Sequence, residues 1–159
     1  MAALTFAPEL PIESSEVTPL LTAIRIAVVE RLESDPVLLE LIGGSDRIFY
    51  RPRRTEFEPP ALTYFDFGAE VDPLVPLTDR TMQIDIWETD LDRAERIAVR
   101  VRRLLDLGRG GGAATPMVLE GTEGRVASLF MTADRDGPVD GDFVRKSLDF
   151  RVLAYDAAA

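Results

Sequence analysis

The chain contains no cysteine and no histidine. Without cysteine it has no disulfide framework, no thiolate nucleophile and no sulfur metal site. Without histidine it lacks the side chain most used for proton transfer near neutrality and the commonest zinc ligand. Most hydrolase designs are thereby excluded, and neither a cofactor nor a bound metal is expected. Lysine is almost missing too: Lys146 is the sole lysine among 18 basic residues, and the rest are arginine. No apolar run approaches the roughly 20 residues that span a bilayer. Positive charge is scarce enough to leave a formal net charge of −10. A chain that binds nucleic acid tightly must release phosphate counterions and is normally basic, and an acidic surface also repels anionic lipid. Neither partner is expected. The first 15 residues have no basic region and carry Pro8, Glu9, Pro11 and Glu13, so they do not read as a secretory leader.

What is present begins with an ordinary globular balance, 46% hydrophobic and 29% charged over 159 residues, enough for one core of moderate size. Between Thr81 and Leu107 the apolar period changes from two to about 3.6. Met82, Ile84 and Ile86 alternate with polar residues as in a half-buried strand, then Leu91, Ala94, Ile97, Ala98, Val101, Leu104 and Leu105 recur at three and four as in an amphipathic helix. Thr89 and Asp92 have the spacing of a capping box. Upstream, Thr18–Pro19 and Asp35–Pro36 each give a helix start signal with proline at the first helical position. One helix is therefore expected from Leu20 through Leu32, and a shorter one over Val37–Ile42 that ends at Gly43 and Gly44.

A short strand is expected at Arg47–Tyr50 and a longer one at Ala61–Phe67, with a long connection from Gly68 to Thr78. The glycine-rich stretch Gly108–Gly124 reads as a loop, and Val126–Ala133 with Phe143–Tyr155 as a hairpin around Asp136–Gly137. The predicted fold is α+β: a mainly antiparallel sheet of four to five strands with two main helices on one face. It occupies residues 18–156, preceded by an extended arm over residues 1–17 that carries Leu4, Phe6, Leu10 and Ile12 between prolines, and followed by a tail over residues 157–159.

Few constellations suggest chemistry. Asp134, Asp136, Asp140 and Asp142 crowd one turn, but a calcium loop opening at Asp134 would put Pro138, Val139 and Arg145 where a ligand, a glycine and a bidentate glutamate belong. Gly110–Gly112 close a helix where a phosphate cradle opens one. Glu88, Asp90 and Asp92 read as acids at a helix N-terminus. Two basic features remain as candidate contact surfaces: the Arg51, Arg53 and Arg54 loop, whose guanidinium groups suit acidic partners, and the helix stripe that includes Arg96, Arg100 and Arg103. Arg109, with Phe6 and Leu10 of the arm, completes the candidate interface.

Three stretches resemble the tail terminator, or tail completion, proteins of long-tailed bacteriophages and gene-transfer particles. LLTAIRIAVVERLESDPVLLELIGGSDRIFY is similar to that family's opening helix, Asp–Pro helix and small strand. TMQIDIWETDLDRAERIAVRVRRLLD is similar to its strand, Trp and second helix, and DGDFVRKSLDFRVLAYD to its closing strand. The arm and the acidic turn near Asp136 depart from the pattern. The resemblance implies a non-enzymatic virion subunit closing into a ring, usually a hexamer, on the head-proximal end of the tail tube. Its partners would be copies of itself, the tube protein and a neck protein, with DNA passing through without specific binding. Another head–tail adaptor is the nearest alternative. A small carboxylate enzyme or ligand-binding module, marked by a cleft gathering Asp85, Glu88 and Arg151, is the alternative of a different class.

Overall fold

The computed structural model describes residues 19–51, 58–71, 77–108, 115–121, 124–137 and 143–156. The arm, Arg53, Arg54, Arg109 and the tail lie outside the described residues.

Helix α1 (Leu20–Glu33) starts after Pro19, which stands at the N-cap and not inside the first turn as expected. A two-residue break, Ser34 and Asp35, then separates it from α2 (Pro36–Ile42), because Asp35 takes the N-cap, its Oδ2 accepting from the Leu38 amide at 3.1 Å, and Pro36 fixes the first turn. Gly43 closes α2 in the left-handed region (φ 91°), its amide and that of Gly44 both donating to the Leu39 carbonyl at 2.9 Å. Helix α3 (Leu91–Leu105) is capped one residue later than the sequence suggests. Asp90, not Thr89, accepts from the Asp92 amide at 2.9 Å, while the Thr89 amide donates to Glu88.

Six strands form one sheet in the order β1 (Ile48–Tyr50), β2 (Ala61–Val71), β3 (Leu77–Glu88), β6 (Val144–Asp156), β5 (Arg125–Asp136), β4 (Met117–Val118). This corrects the expected four to five antiparallel strands. The sheet is mixed, because β1 runs parallel to β2. Apolar alternation reports which face a residue occupies and not strand direction, and the ten residues between β1 and β2 bring the chain back to the same end. The two-residue β4 is too short to show a period, and it lies inside the stretch read as loop. Strands β2 and β3 also extend into the expected Gly68–Thr78 connection, pairing as far as Val71 with Thr78. Bulges between Phe67 and Ala69 and between Met131 and Ala133 bend the sheet.

The expected apolar faces are the observed ones. Met82, Ile84 and Ile86 of β3 register with Phe150, Leu148 and Lys146 of β6, and Val152 and Ala154 continue the same face. Ala94, Ile97, Ala98 and Val101 of α3 close over them, joined by Val28 and Leu32 of α1 and Leu38 and Ile42 of α2. All three helices share one core.

Candidate assembly interface

Ionic clusters bound that core at both ends. Toward the Arg80 end of β3, the Asp66 carboxylate is flanked by Arg25 of α1 at 2.7 Å and Arg80 at 3.5 Å, and the Arg25 guanidinium lies 4.4 Å above the Tyr50 ring centre. Toward the other end, buried Lys146 reaches Glu95 of α3 at 2.7 Å, Asp134 at 2.8 Å and Asp136 at 3.2 Å. Burial alone would lower its pKa. The hydrogen bonds it donates to Asp134, Glu95 and Asp136 more than offset that and hold it above the ordinary lysine value. Arg102 pairs with the same Asp134 at 2.5 Å. Between α2 and α3, Arg100 donates from Nε and Nη2 to Asp35 at 2.5 and 2.6 Å, a bidentate pair that keeps the Asp35 carboxyl below its usual range against the opposing effect of burial.

The sheet face turned away from the helices mixes aromatic side chains, among them Phe65, Phe67 and Trp87, with ion pairs. Arg151 holds Asp79 at 2.6 Å and lowers its pKa, while Arg135 holds Asp149 at 2.7 Å. The Asp85 carboxylate, fully buried, accepts from Ser147 Oγ at 2.6 Å, Gln83 Nε2 at 2.7 Å and Arg51 Nη1 at 3.1 Å. Trp87 Nε1 donates to Thr63 Oγ1 at 2.9 Å. The net negative charge of the chain is therefore not concentrated here.

Exposed apolar side chains occur on that face, at Phe67 and Tyr155, and also on the helices and the β4 edge. Ile26 on the outer face of α1 is 45% exposed and Val118 on the β4 edge 71%. A hollow of about 270 Å³ lies between α1 and the Tyr50 and Tyr64 rings, and a second of about 220 Å³ lies between Ala27 of α1 and Val118. Ile26 and Glu30 border both and stand between them on the outer side of α1, so the two hollows flank the helix. A separate, more polar hollow is lined by Val37, Leu41, Asp90, Asp92, Arg93 and Arg96 at the junction of α2 and α3.

The residues picked out in the sequence fall into different situations. Arg51 is held by Asp85 and lies 5.5 Å from the Phe65 ring centre, and Arg100 is engaged by Asp35, so both sit in internal pairs. Arg96 and Arg103 are exposed on α3. Phe6, Leu10, Arg53, Arg54 and Arg109 lie outside the described residues. The exposure of Ile26 was missed because an apolar position on a helix reads as core unless tertiary packing leaves it open. Asp85, Glu88 and Arg151 do not converge. Glu88 is in the register of the helix-packed face and meets Arg93 at 3.6 Å, whereas Asp85 belongs to the opposite face and Arg151 is paired with Asp79.

Residues 26–155 match the family described as tail completion protein gp17, which is most of the chain and every element of the sheet. The chain belongs to that family. It is a structural protein of the virion tail. A tail completion fold is also found in a chain from the virion of a native gene transfer agent particle, with a TM-score of 0.64, 20% sequence identity, and coverage of 86% of this chain and 98% of that one. At that identity the likeness is one of fold. No curated protein matches this tail completion protein.

Proposed function

We propose that this tail completion protein is a ring-forming tail terminator. Six copies cap the head-proximal end of the finished tail tube, stop its polymerisation and join it to the head through a neck protein. The family match over residues 26–155 carries this reading. Several features of the chain support it. A closed ring needs two different faces per subunit, and the hollow between α1 and Tyr50 and the α2–α3 hollow are two distinct surfaces on the molecule. Exposed Arg96 and Arg103, the Arg51, Arg53 and Arg54 loop, Arg109, Phe6 and Leu10 are the proposed contact residues, with arginine suited to carboxylates on an acidic neighbour. The formal charge of −10 suits a channel in which DNA slides without sticking.

Native mass of the purified protein, alone and mixed with tail-tube subunits, tests this. A ring that binds the end of preformed tubes is the expected result. A monomer at all concentrations that leaves tube growth unchanged removes the reading, and a ring that binds neck protein but ignores tube would identify an adaptor instead.

A further inference from the structure

Helices α1 and α3 each carry an exposed stripe in which one apolar side chain stands beside charges of a single sign. On α1 the stripe is Ile26, Glu30 and Glu33, spaced four and three residues apart, with Ile26 45% exposed. Neither glutamate has an ion-pair partner among the described residues. The two repel each other across one turn, and they lie at the C-terminal end of α1, where the helix dipole disfavours negative charge. On α3 the stripe is Arg96, Val99 and Arg103, spaced three and four, with Val99 42% exposed. Three of the five arginines of α3 are engaged within the subunit, Arg93 by Glu88, Arg100 by Asp35 and Arg102 by Asp134. Arg96 and Arg103 are the two without a carboxylate partner among the described residues. Of the exposed acids on α3, Glu95 is held by Lys146, and Asp92 lies in the first turn, where the dipole favours it.

We propose that the Ile26, Glu30 and Glu33 stripe of one copy packs against the Arg96, Val99 and Arg103 stripe of the next. The inference rests on the ring reading and names the contact that links one subunit to its neighbour. The charges match in number and oppose in sign, and the spacings fit. At 1.5 Å per residue Glu30 stands about 6 Å along the axis from Ile26, while Arg96 and Arg103 stand about 4.5 and 6 Å to either side of Val99. Seating Ile26 on Val99 brings Glu30 beside Arg103 when the two helices run the same way and beside Arg96 when they run opposite ways. Covering the apolar pair also excludes water from the charges around it, which strengthens their attraction. The two stripes are unlike surfaces on one chain, so the contact is heterologous. Each copy offers α1 to one neighbour and α3 to the other, and addition continues until the ring closes.

The test exchanges charges in the full chain. One variant carries Glu30→Arg with Glu33→Arg, a second carries Arg96→Glu with Arg103→Glu, and circular dichroism checks that both keep the wild-type fold. Each alone sets like charges against like and should show at most half the wild-type native mass. Mixed in equal amounts they should regain it, because the basic α1 of the first meets the acidic α3 of the second while the unaltered stripes pair as before. Ring mass retained by both variants alone, or a loss that mixing does not restore, overturns the contact while a wild-type ring stands. A wild type that is monomeric or stops at two copies overturns the ring reading and this contact with it. A second measurement changes no charge. The chain is free of cysteine, so Ile26→Cys combined with Val99→Cys and oxidised should give a ladder of disulfide-linked multiples that neither single variant shows. A monomer linked within one chain, or no link in a protein of ring mass, overturns the contact.

Discussion

Asp35 does two jobs with one carboxylate, and they can be separated. It caps α2 through the Leu38 amide and accepts two hydrogen bonds from Arg100. Asp35→Asn keeps a capping oxygen and loses the charge, an expected cost of about 1–2 kcal/mol. Asp35→Ala loses both and should cost about 2–4 kcal/mol. Urea denaturation at pH 7 measures the difference, and equal losses would show that the cap contributes nothing. The pH dependence has a definite sign. The folded Asp35 carboxyl lies below its unfolded value of about 3.9, so the unfolded state binds more protons across that interval. Its contribution is complete above about pH 5 and is lost as pH falls through 4 and below. Asp79 shifts in the same direction, but at 40% side-chain exposure its pair with Arg151 is largely screened. The urea midpoint should fall less between pH 6 and pH 3 in Asp35→Asn than in the wild type.

At the scale of elements, Lys146 fastens α3 to the β5–β6 hairpin. Lys146→Met leaves Glu95, Asp134 and Asp136 facing one another beside a buried methyl group, with Arg102 on Asp134 as partial compensation. A loss of about 2–4 kcal/mol is expected at pH 7. The loss should shrink at high salt, which screens repulsion between the carboxylates. Thermal unfolding of the variant and the wild type at low and high salt checks it, and a penalty unchanged by salt would mean that lost packing, not repulsion, dominates. The turn after α2 offers a purely conformational counterpart. A Cβ at Gly43 has room, its nearest neighbour being Arg47 Nε at 3.9 Å, but φ is 91°. Gly43→Ala should therefore cost about 1 kcal/mol from backbone strain alone. Gly44→Ala should cost more, since its Cβ would also meet Asp46 Oδ1 at 2.9 Å.

For the whole molecule, charge sets the expected behaviour toward DNA. At a net charge of −10, with Arg135 and Arg151 of the outer sheet face paired to aspartates, the assembled ring should retain duplex DNA weakly at physiological salt. Electrophoretic retention across a salt series measures this. Tight binding near 150 mM salt would show basic residues concentrated on the lumen and would contradict free passage.

Residue order alone determined the elements whose periodicity is long. Leu91–Leu105 as an amphipathic helix, Asp35–Pro36 as a helix start, and the alternation of β3 and β6 follow from spacing, because burial on one face imposes a period that the sequence must carry. The family resemblance was legible for the same reason, since its three stretches span those elements. Tertiary structure decided what has no period. The two-residue β4, the parallel direction of β1, the pairing of Arg100 with Asp35 across 65 positions, and the burial of Asp85 on the outer sheet face all depend on where distant segments meet. So does exposure along α1. Ile26 and Val28 are equally apolar in the sequence, and only the packing of α1 against the sheet buries Val28 and leaves Ile26 exposed.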